Sequence, residues 1–413
     1  MTSEKSEQRE RLVADDGEAQ VGSWRLDTPG CEHRIHLNNA GAALMPRSVS
    51  RAVIDHVELE SQMGGYEAAA HRRDAIARCY DDLAALCGTT ADHVAIAPSA
   101  TAAFVRAISA VDFHAGDVLI TSRLDYTSYQ IQYLALAERY GVTVLHAPDL
   151  PEGGVDPDGV RDLLRCHPNC RLVSLTWIPT HSGTIQDVGA VGEVCESFGV
   201  TYHVDACQAV GQLPVDLAAL KCDYLSATGR KFLRGPRGTG FLCVSDRVLA
   251  RDERPLFIDM RGATWTSPHA FTPAPGARRF EEWEFAYALV LGLGEAARYG
   301  SAADVAACGR RARGLAAYAR ERLAGLPGVT VLDRGRELSA LVTASFAGRD
   351  AADVVRALAA RGINTVTSLR WFGLLDFGPR GVETAIRVSP HYYNTVDEID
   401  ALIDAVAHCT RPA

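Results

Sequence analysis

Residues 200–244 read VTYHVDACQAVGQLPVDLAALKCDYLSATGRKFLRGPRGTGFLCV, and the architecture of the chain follows from this stretch. Three apolar runs within it have the length and composition of strands that are buried on both faces of a sheet. They are VTYHV (200–204), CDYLS (222–226) and GTGFLCV (238–244). Ionisable side chains, among them Asp205 and Lys231, follow the first two runs. Because ligands bind beyond the carboxyl ends of strands in open parallel sheets, the stretch predicts a site at one sheet edge.

The segments before this stretch show the same alternation of strand-like and helix-like patterns. The predicted strands are HVAIAP (93–98), DVLIT (117–121), VTVLHA (142–147) and RLVSLTW (171–177). The predicted helices span 75–88, 99–111, 126–140, 157–166 and 187–198. Ser99 is the expected N-cap of the second of these helices, and Gly88 ends the first. Alternating elements predict an α/β fold, in which helices cover a mostly parallel sheet.

The pattern changes near residue 285. An Ala-rich helical stretch (286–325) comes first, and a smaller region with strand-like and helix-like runs follows. The runs are LSALVTASF (338–346), a helix at 350–361, INTVTS (363–368), AIRVS (385–389) and a helix at 396–408. Pro and Gly clusters at 151–159 and 268–276 predict loops. The expected organisation is a solvated arm over 1–30, a large α/β domain over 31–290 and a smaller α+β domain over 291–413.

The composition is that of an ordinary folded protein, with 413 residues, 47% apolar and 23% charged. A formal net charge of −9 argues against a nucleic-acid or membrane-surface binder. No apolar run is long enough to cross a membrane, and the polar N-terminus does not resemble a secretory signal. Eleven scattered cysteines without a CxxC pair indicate reduced thiols, so we expect a cytoplasmic protein without a metal site.

Asp205 and Lys231 follow strands that are expected to be neighbours. Lysine occurs only three times in the chain, so lysine-dependent chemistry has few possible positions. The helix that begins at Ser99 offers backbone N–H groups to an anion, and Thr228 and Arg230 are further donors. This set matches the needs of pyridoxal 5′-phosphate (PLP), which requires a lysine for its Schiff base, a carboxylate for its ring nitrogen and donors for its phosphate.

The segments VDACQAVG (204–211) and TGRKFLRGPRGTG (228–240) closely resemble the class V aminotransferase family of fold-type I PLP enzymes. The resemblance runs from HLNNAGAALMP (36–46) to IRVSPHYYNTVDEID (386–400). It is strongest to the branch of ergothioneine-type C–S lyases, isopenicillin N epimerase-like proteins and selenocysteine lyases. It implies a large domain with a mostly parallel seven-stranded sheet, a smaller C-terminal α+β domain, and a homodimer.

The resemblance also implies which residues contact the cofactor ring. Lys231 corresponds to the catalytic lysine of the Schiff base, Asp205 to the partner of the pyridine nitrogen, and Gln208 to the hydrogen-bond donor of the ring hydroxyl. Thr180 occupies the place of an Asn or Thr near that hydroxyl. Relatives usually stack a His on the ring; this chain has none there, so Tyr126 is the candidate, and a purely structural aromatic is the alternative.

The phosphate contacts follow the same resemblance. They are Ser99, Ala100 and Thr101 at the helix start, with Thr228 and Arg230 in place of the family's Ser and His. One contact departs from the family pattern, because Trp283 and Glu284 replace a Gly-Thr pair that reaches the phosphate of the other subunit. Thr264 and Trp265 are alternative sources of such a contact.

Substrate binding is expected near Arg387, which resembles the arginine that holds the substrate carboxylate with a bidentate fork. Asn39 and Ala40 lie in a small-residue segment that would close over the substrate, although a plain Asn-Gly turn is the alternative. Tyr66 and His181 are further candidates for substrate contact, and the absence of any substrate contact is the alternative for both.

The loop at 363–381 contains no cysteine, whereas cysteine desulfurases carry there the thiol that accepts sulfur. Cys207 is close to the cofactor in sequence, but packing against the ring is its expected role. We therefore expect β-elimination from a cysteine with a bulky S-substituent, which releases a thiol or sulfenate, pyruvate and ammonia. The pathway would be the biosynthesis of a small thiol or of a secondary metabolite such as an antibiotic.

Other outcomes of PLP chemistry remain open at the level of sequence. An aminotransferase, an epimerase or a decarboxylating oxidative deaminase acting on an S-linked amino acid would use the same core residues. A non-catalytic binding protein with a PLP fold is a further alternative from another class, and the intact Asp205, Gln208, Lys231 and Arg387 argue against it.

Overall fold

The computed structural model describes residues 18–410. Its helices are α1 (Glu18–Leu26), α2 (Arg47–Met63), α3 (Gly65–His71), α4 (Arg73–Leu86), α5 (Ala100–Ile108), α6 (Thr127–Tyr140), α7 (Pro157–Cys166), α8 (Val188–Phe198), α9 (Asp246–Ala250), α10 (Tyr287–Ala302), α11 (Val305–Ala324), α12 (Ala351–Ala360), α13 (Leu374–Phe377) and α14 (Val396–Thr410). Its strands are β1 (Ile35–His36), β2 (Val94–Ala97), β3 (Val118–Thr121), β4 (Thr143–His146), β5 (Cys170–Thr176), β6 (Thr201–Asp205), β7 (Tyr224–Thr228), β8 (Gly240–Val244), β9 (Ala263–Ser267), β10 (Ala270–Pro273), β11 (Val329–Val331), β12 (Val342–Phe346), β13 (Ile363–Asn364), β14 (Val366–Leu369) and β15 (Thr384–Val388).

The large sheet has seven strands in the order β2-β8-β7-β6-β5-β3-β4. Only β8 runs against the others within this sheet, since it pairs antiparallel with both β2 and β7. The central strands β6 and β7 are almost fully buried, which explains their continuous apolar sequences. The predicted α/β fold with a mostly parallel seven-stranded sheet is therefore confirmed.

The C-terminal region forms an antiparallel sheet in the order β11-β12-β15-β14, and α11, α12 and α14 pack around it. A short N-terminal segment joins this region, because β1 pairs in parallel with β13 and Asn38 forms a bridge with Ser389. The chain thus passes through the small sheet region before it builds the large one. This crossing places residues near Asn38 beside the strand that carries Arg387.

The prediction of a solvated arm is wrong for residues 18–30. The last turn of α1 contains Arg25, whose guanidinium donates to the Glu398 carboxylate at 2.9 Å and to the Tyr393 carbonyl at 3.1 Å. Thr28, just after the helix, is fully buried. Residues 1–17 of the predicted arm lie outside the described residues.

The helical stretch 286–325 is confirmed and consists of two helices, because Asp304 takes a left-handed φ of 57° and its carboxylate caps the N-terminus of α11. The prediction of a loop over 268–276 is wrong for part of that range, which contains β10 in a hairpin with β9. Within residues 18–410, no helix is both long and apolar enough to cross a membrane, and no group of His, Cys, Asp and Glu is arranged to hold a metal ion.

Candidate active site

A cleft of about 300 Å³ lies where the carboxyl ends of β6 and β7 meet the N-terminus of α5. It brings together eight residues that the sequence assigns to cofactor binding. They are Ser99, Ala100, Thr101, Tyr126, Asp205, Thr228, Arg230 and Lys231. Tyr129, Cys207 and Arg237 also line the cleft. The volume is at the lower end of the range found for small-molecule sites.

Asp205 and Lys231 are both buried in the cleft, with 3% and 8% of their surfaces exposed. Burial raises the pKa of the Asp205 carboxyl, and the charge of Lys231 partly opposes this rise. Burial lowers the pKa of the Lys231 amine, while Cys207 and Asp205 act in the opposite direction. A lysine with a lowered pKa is more easily deprotonated, which is the state that a nucleophile or a proton acceptor needs.

The predicted anion-binding turn is the first turn of α5. Ser99 is the N-cap as predicted, because its hydroxyl accepts from the Ala102 N–H at 3.1 Å. Strand β8 comes unusually close to this turn at Gly240, where an added Cβ would lie 2.5 Å from the Ala100 nitrogen. The close packing needs a glycine and holds the first N–H groups of the helix at the cleft. Thr228 stands on the neighbouring strand, with its hydroxyl donating to the Thr239 carbonyl at 3.0 Å.

Tyr126 immediately precedes α6, and contacts with Asp125 and Tyr129 hold it in place. Its backbone N–H donates to the Asp125 carboxylate at 2.8 Å, and its ring meets the Tyr129 ring edge-on at 5.5 Å. Asp125 is itself buried, and burial raises its pKa to about 6. The structure thus places an aromatic ring at the cleft, where a ring-stacking residue is required, and its stacking role stays a proposal.

Gln208 lies next to the small-residue segment. Its amide Nε2 donates to the Ala40 carbonyl at 3.1 Å, and its buried Oε1 has no hydrogen-bond partner within residues 18–410. Such an orphaned buried oxygen is costly unless a ligand satisfies the amide. The backbone N–H of Ala40 donates to the Ser389 hydroxyl at 2.9 Å, which links this segment to the end of β15.

Arg387, on β15, is buried and faces the large domain. One of its terminal nitrogens donates to the Thr180 carbonyl at 3.0 Å and to the Thr180 hydroxyl at 2.8 Å, and the other donates to Asn38 Oδ1 at 3.1 Å. Its buried Nε has no partner in the described part of the chain. Burial, with a smaller contribution from Arg230, lowers the pKa of Arg387 to about 10, so it stays cationic at neutral pH.

The structure places Asn39 away from substrate contact. Its amide nitrogen donates to the Ser389 carbonyl at 2.7 Å, and its oxygen accepts from the Tyr393 hydroxyl. Asn38, which the sequence analysis did not select, contacts Arg387 instead. Asn38 forms the bridge to Ser389 and Asn39 lies in the turn that follows, where the Gly41 N–H donates to the Asn38 carbonyl at 3.0 Å, and the sequence alone does not show which asparagine faces the site.

Two other substrate candidates do not line the cleft. Tyr66 lies on α3 with 74% of its surface exposed. His181 is completely buried against small-domain residues, with its ring edge-on to Phe377 at 5.3 Å and its Nε2 3.9 Å from the Asp376 carboxylate. Burial lowers the pKa of His181 to about 4, so this imidazole is neutral at physiological pH.

Cys207 and Arg237 line the cleft without having been selected as site residues. Cys207 is buried, and its backbone N–H donates to Asp205 Oδ1 at 2.8 Å. Burial raises the pKa of its thiol well above the usual value, which leaves little reactive thiolate. The position of Arg237 in the GPRGTG loop that follows Lys231 is the signal that could have identified it.

The residues present fit PLP. Asp205 is a buried carboxylate whose charge is destabilised by burial, so a cationic ring nitrogen would be a favourable partner. The first turn of α5 and Arg230 supply donors for a phosphate, and Lys231 supplies the amine. All these groups lie in one cleft, as a small phosphorylated aldehyde requires.

Comparison with known proteins agrees with this reading of the cleft. The family model for class V aminotransferases matches residues 35–402. A probable cysteine desulfurase of Methanothermobacter thermautotrophicus is 24% identical over 390 residues, which cover 92% of this chain and 95% of that protein. A probable hercynylcysteine sulfoxide lyase of Mycobacterium tuberculosis is 27% identical over 403 residues, covering 95% and 94%.

Among solved structures, the apo form of a cysteine desulfurase from Thermococcus onnurineus NA1 has a TM-score of 0.85 at 20% identity. It covers 94% of this chain, which covers 97% of the other, and at this identity the likeness speaks for the fold alone. The family match spans nearly the whole described chain. The chain therefore belongs to the class V aminotransferase family, and its cofactor is pyridoxal 5′-phosphate.

Proposed function

We propose that this protein is a C–S β-lyase that, with uptake of one water, converts an S-substituted cysteine into a thiol, pyruvate and ammonia, or its S-oxide into a sulfenate, pyruvate and ammonia. The observation that carries the proposal is the composition of the cleft. It combines a buried lysine with a lowered pKa and a nearby buried arginine with an unsatisfied Nε, and the only thiol lining it is the buried Cys207. The cleft therefore contains an amine that can remove the α-proton, but its lining contains no reactive thiol that could accept sulfur.

Substrate binding in this proposal falls to Arg387. The guanidinium is held by Thr180 and Asn38, and its Nε remains for the carboxylate of an amino acid. A charged hydrogen bond made at a fixed buried position orients the substrate as well as binding it. The Cα–H bond would then be directed toward the amine of Lys231.

Proton transfer in this proposal falls to Lys231, since its lowered pKa favours the neutral amine that can accept the α-proton. PLP, when bound, supplies the electron sink for the charge left at Cα. Asp205 contributes the negative charge that keeps the ring nitrogen cationic. The departing thiolate or sulfenate is a weak base compared with hydroxide, so expulsion from Cβ needs no strong general acid.

The relatives support a substrate of the cysteine type, because they are named as a cysteine desulfurase and a hercynylcysteine sulfoxide lyase. A desulfurase that passes sulfur to its own thiol needs a reactive cysteine. Cys207 is buried with a raised pKa, and the segment 363–381 has none. These observations favour the lyase over the desulfurase for this chain.

We also propose a setting for this activity. The chain would act as a cytoplasmic homodimer in the biosynthesis of a small thiol or a secondary metabolite, with a division into 31–290 and 291–413. The cysteines of the described residues are all unpaired, which is consistent with a reducing compartment.

The test is to incubate the holoenzyme with S-alkylcysteines and their S-oxides. We expect pyruvate, ammonia and the sulfur product in equal amounts, without any added keto acid. Release of carbon dioxide, a requirement for a keto-acid acceptor, or recovery of the substrate with an inverted Cα would each overturn the proposal. Each of these outcomes identifies one of the alternative PLP reactions.

A further inference from the structure

Arg234 is a fully buried arginine three residues after Lys231. Only 1% of its surface is exposed, and no carboxylate pairs with it within residues 18–410. Its backbone takes a left-handed φ of 64°, which is unfavourable for a residue other than glycine, and its N–H donates to the Lys231 carbonyl at 2.9 Å. The turn that carries Lys231 therefore closes on Arg234.

The side chain of Arg234 uses all three nitrogens of its guanidinium. Nε donates to the Leu44 carbonyl at 2.9 Å, one terminal nitrogen donates to the Tyr392 hydroxyl at 2.6 Å, and the other donates to the Thr28 hydroxyl at 2.5 Å. The guanidinium also lies 4.6 Å from the centre of the Tyr393 ring and 5.2 Å from that of Tyr392. A planar fork surrounded by aromatic rings is a binding mode that lysine does not reproduce.

Two of the three side-chain partners of Arg234 belong to segments that carry substrate-facing residues, and the third, Thr28, follows α1. Leu44 ends the small-residue segment that begins at Asn38, and Tyr392 follows the strand of Arg387. The network closes on itself, because the Leu44 N–H donates to the Tyr393 hydroxyl at 3.2 Å. Arg234 thus joins the turn of Lys231, through its backbone N–H, to the segments of Asn38 and Arg387, through its side chain.

We propose that Arg234 is a positioning residue that sets the location of Lys231 relative to Arg387 and Asn38. An apolar side chain would fill an aromatic pocket at a smaller desolvation cost than an unpaired buried cation. The guanidinium is favoured there because it makes directional bonds to three segments at once. The proposal rests on Lys231 as the cofactor lysine and does not depend on the identity of the substrate.

The experiment compares Arg234→Lys with the matched variant Arg311→Lys. Arg311 is also buried, and it donates to the backbone carbonyls of Tyr392 and Asn394, both at 2.6 Å, which lie outside the turn of Lys231. Both variants are expected to lower the thermal unfolding midpoint. Only Arg234→Lys is expected to weaken PLP binding, by about tenfold or more, and to shift the pH midpoint of the visible absorption of the holoenzyme.

Equal changes of PLP affinity and absorption midpoint in the two variants would overturn the proposal, because they would reduce Arg234 to a stabilising residue. An unchanged absorption midpoint in Arg234→Lys would overturn it as well. Should that variant fail to fold, Tyr392→Phe removes one acceptor of the guanidinium and keeps the ring, and the same midpoint shift is expected. These readouts need no substrate, so a failed lyase assay leaves the test valid.

Discussion

The cleft and the hairpin region of this protein differ in how much of their surface the chain itself buries. At the cleft, Asp205 and Lys231 are buried and their neighbours are in place. Around the β9–β10 hairpin, large apolar side chains are exposed, with Trp265 at 79% and Phe257 at 78%. Single soluble chains rarely leave such a concentration of aromatic surface in water. From this difference we predict that a second surface covers the hairpin region, whereas the residues of the cleft are already buried within the described chain.

The cleft is tested most severely at Lys231. We expect Lys231→Ala to lower kcat by about 10³-fold or more, because both the amine that holds the cofactor and the proton acceptor are lost. The measurement is the rate of pyruvate release together with the visible absorption of the holoenzyme. Lys221→Asn is the matched control, since Lys221 is a surface lysine paired with Glu196 at 2.7 Å and its left-handed φ of 51° suits asparagine. Wild-type absorption in Lys231→Ala would contradict the assignment.

A substitution at Arg387 tests whether the small domain contributes to substrate binding. We expect Arg387→Gln to lower kcat/KM by about 10²-fold, mainly through a higher KM, because the charged hydrogen bond proposed between Nε and the substrate carboxylate is lost. Arg370→Gln is the control, since Arg370 pairs with Glu383 on the surface of the same domain. Equal KM values in the two variants would show that the large domain binds the substrate alone.

The sequence predicts the large sheet well for a physical reason. Strands β5, β6 and β7 are buried on both faces, so their apolar runs leave an unambiguous pattern. Site residues at the ends of these strands, such as Asp205 and Lys231, follow from the pattern because the chain's order fixes where strands end. Ser99 is predictable for the same reason, as an N-cap two residues after the end of β2.

The sequence predicts contacts across the domains poorly. The choice between Asn38 and Asn39 depends on a bridge to Ser389, some 350 residues away, and the burial of His181 depends on α13. The role of Arg234 is also invisible in the sequence, since its partners come from three distant segments. Periodicity records which face of an element is buried, but it does not record what that face meets.

The hairpin region is tested by the oligomeric state. We define the hairpin surface by its exposed apolar residues, which are Leu256, Phe257, Met260, Trp265, Phe271 and Trp283. If a second copy of the chain covers it, Trp265→Ser should raise the dissociation constant of the dimer by about tenfold or more, because aromatic anchors dominate such interfaces. Sedimentation analysis measures this change, with Leu134→Ser, an exposed apolar residue of α6, as the control. Equal dissociation constants for wild type and Trp265→Ser would remove the hairpin from the interface.

The smallest expected effect is a change in the pH dependence of stability, and it concerns His181, which lies at the boundary between the two domains. Its pKa is lowered from 6.5 to about 4 in the folded chain, mainly by burial. Between those pH values the unfolded chain binds a proton that the folded chain does not, so the stability contributed by neutral His181 is complete above about 6.5 and is lost as the pH falls toward 4.

We therefore expect the free energy of unfolding of the wild type to fall by about 1 kcal/mol more than that of His181→Leu between about pH 7 and pH 5.5. Denaturant unfolding at the two pH values measures the difference. His203 is also buried with a lowered pKa, but it is present in both proteins and cancels in the comparison. Parallel pH dependences would mean that His181 is hydrated or paired in solution. The boundary between the two domains would then be open to water. It would resemble the exposed hairpin surface and differ from the buried residues of the cleft.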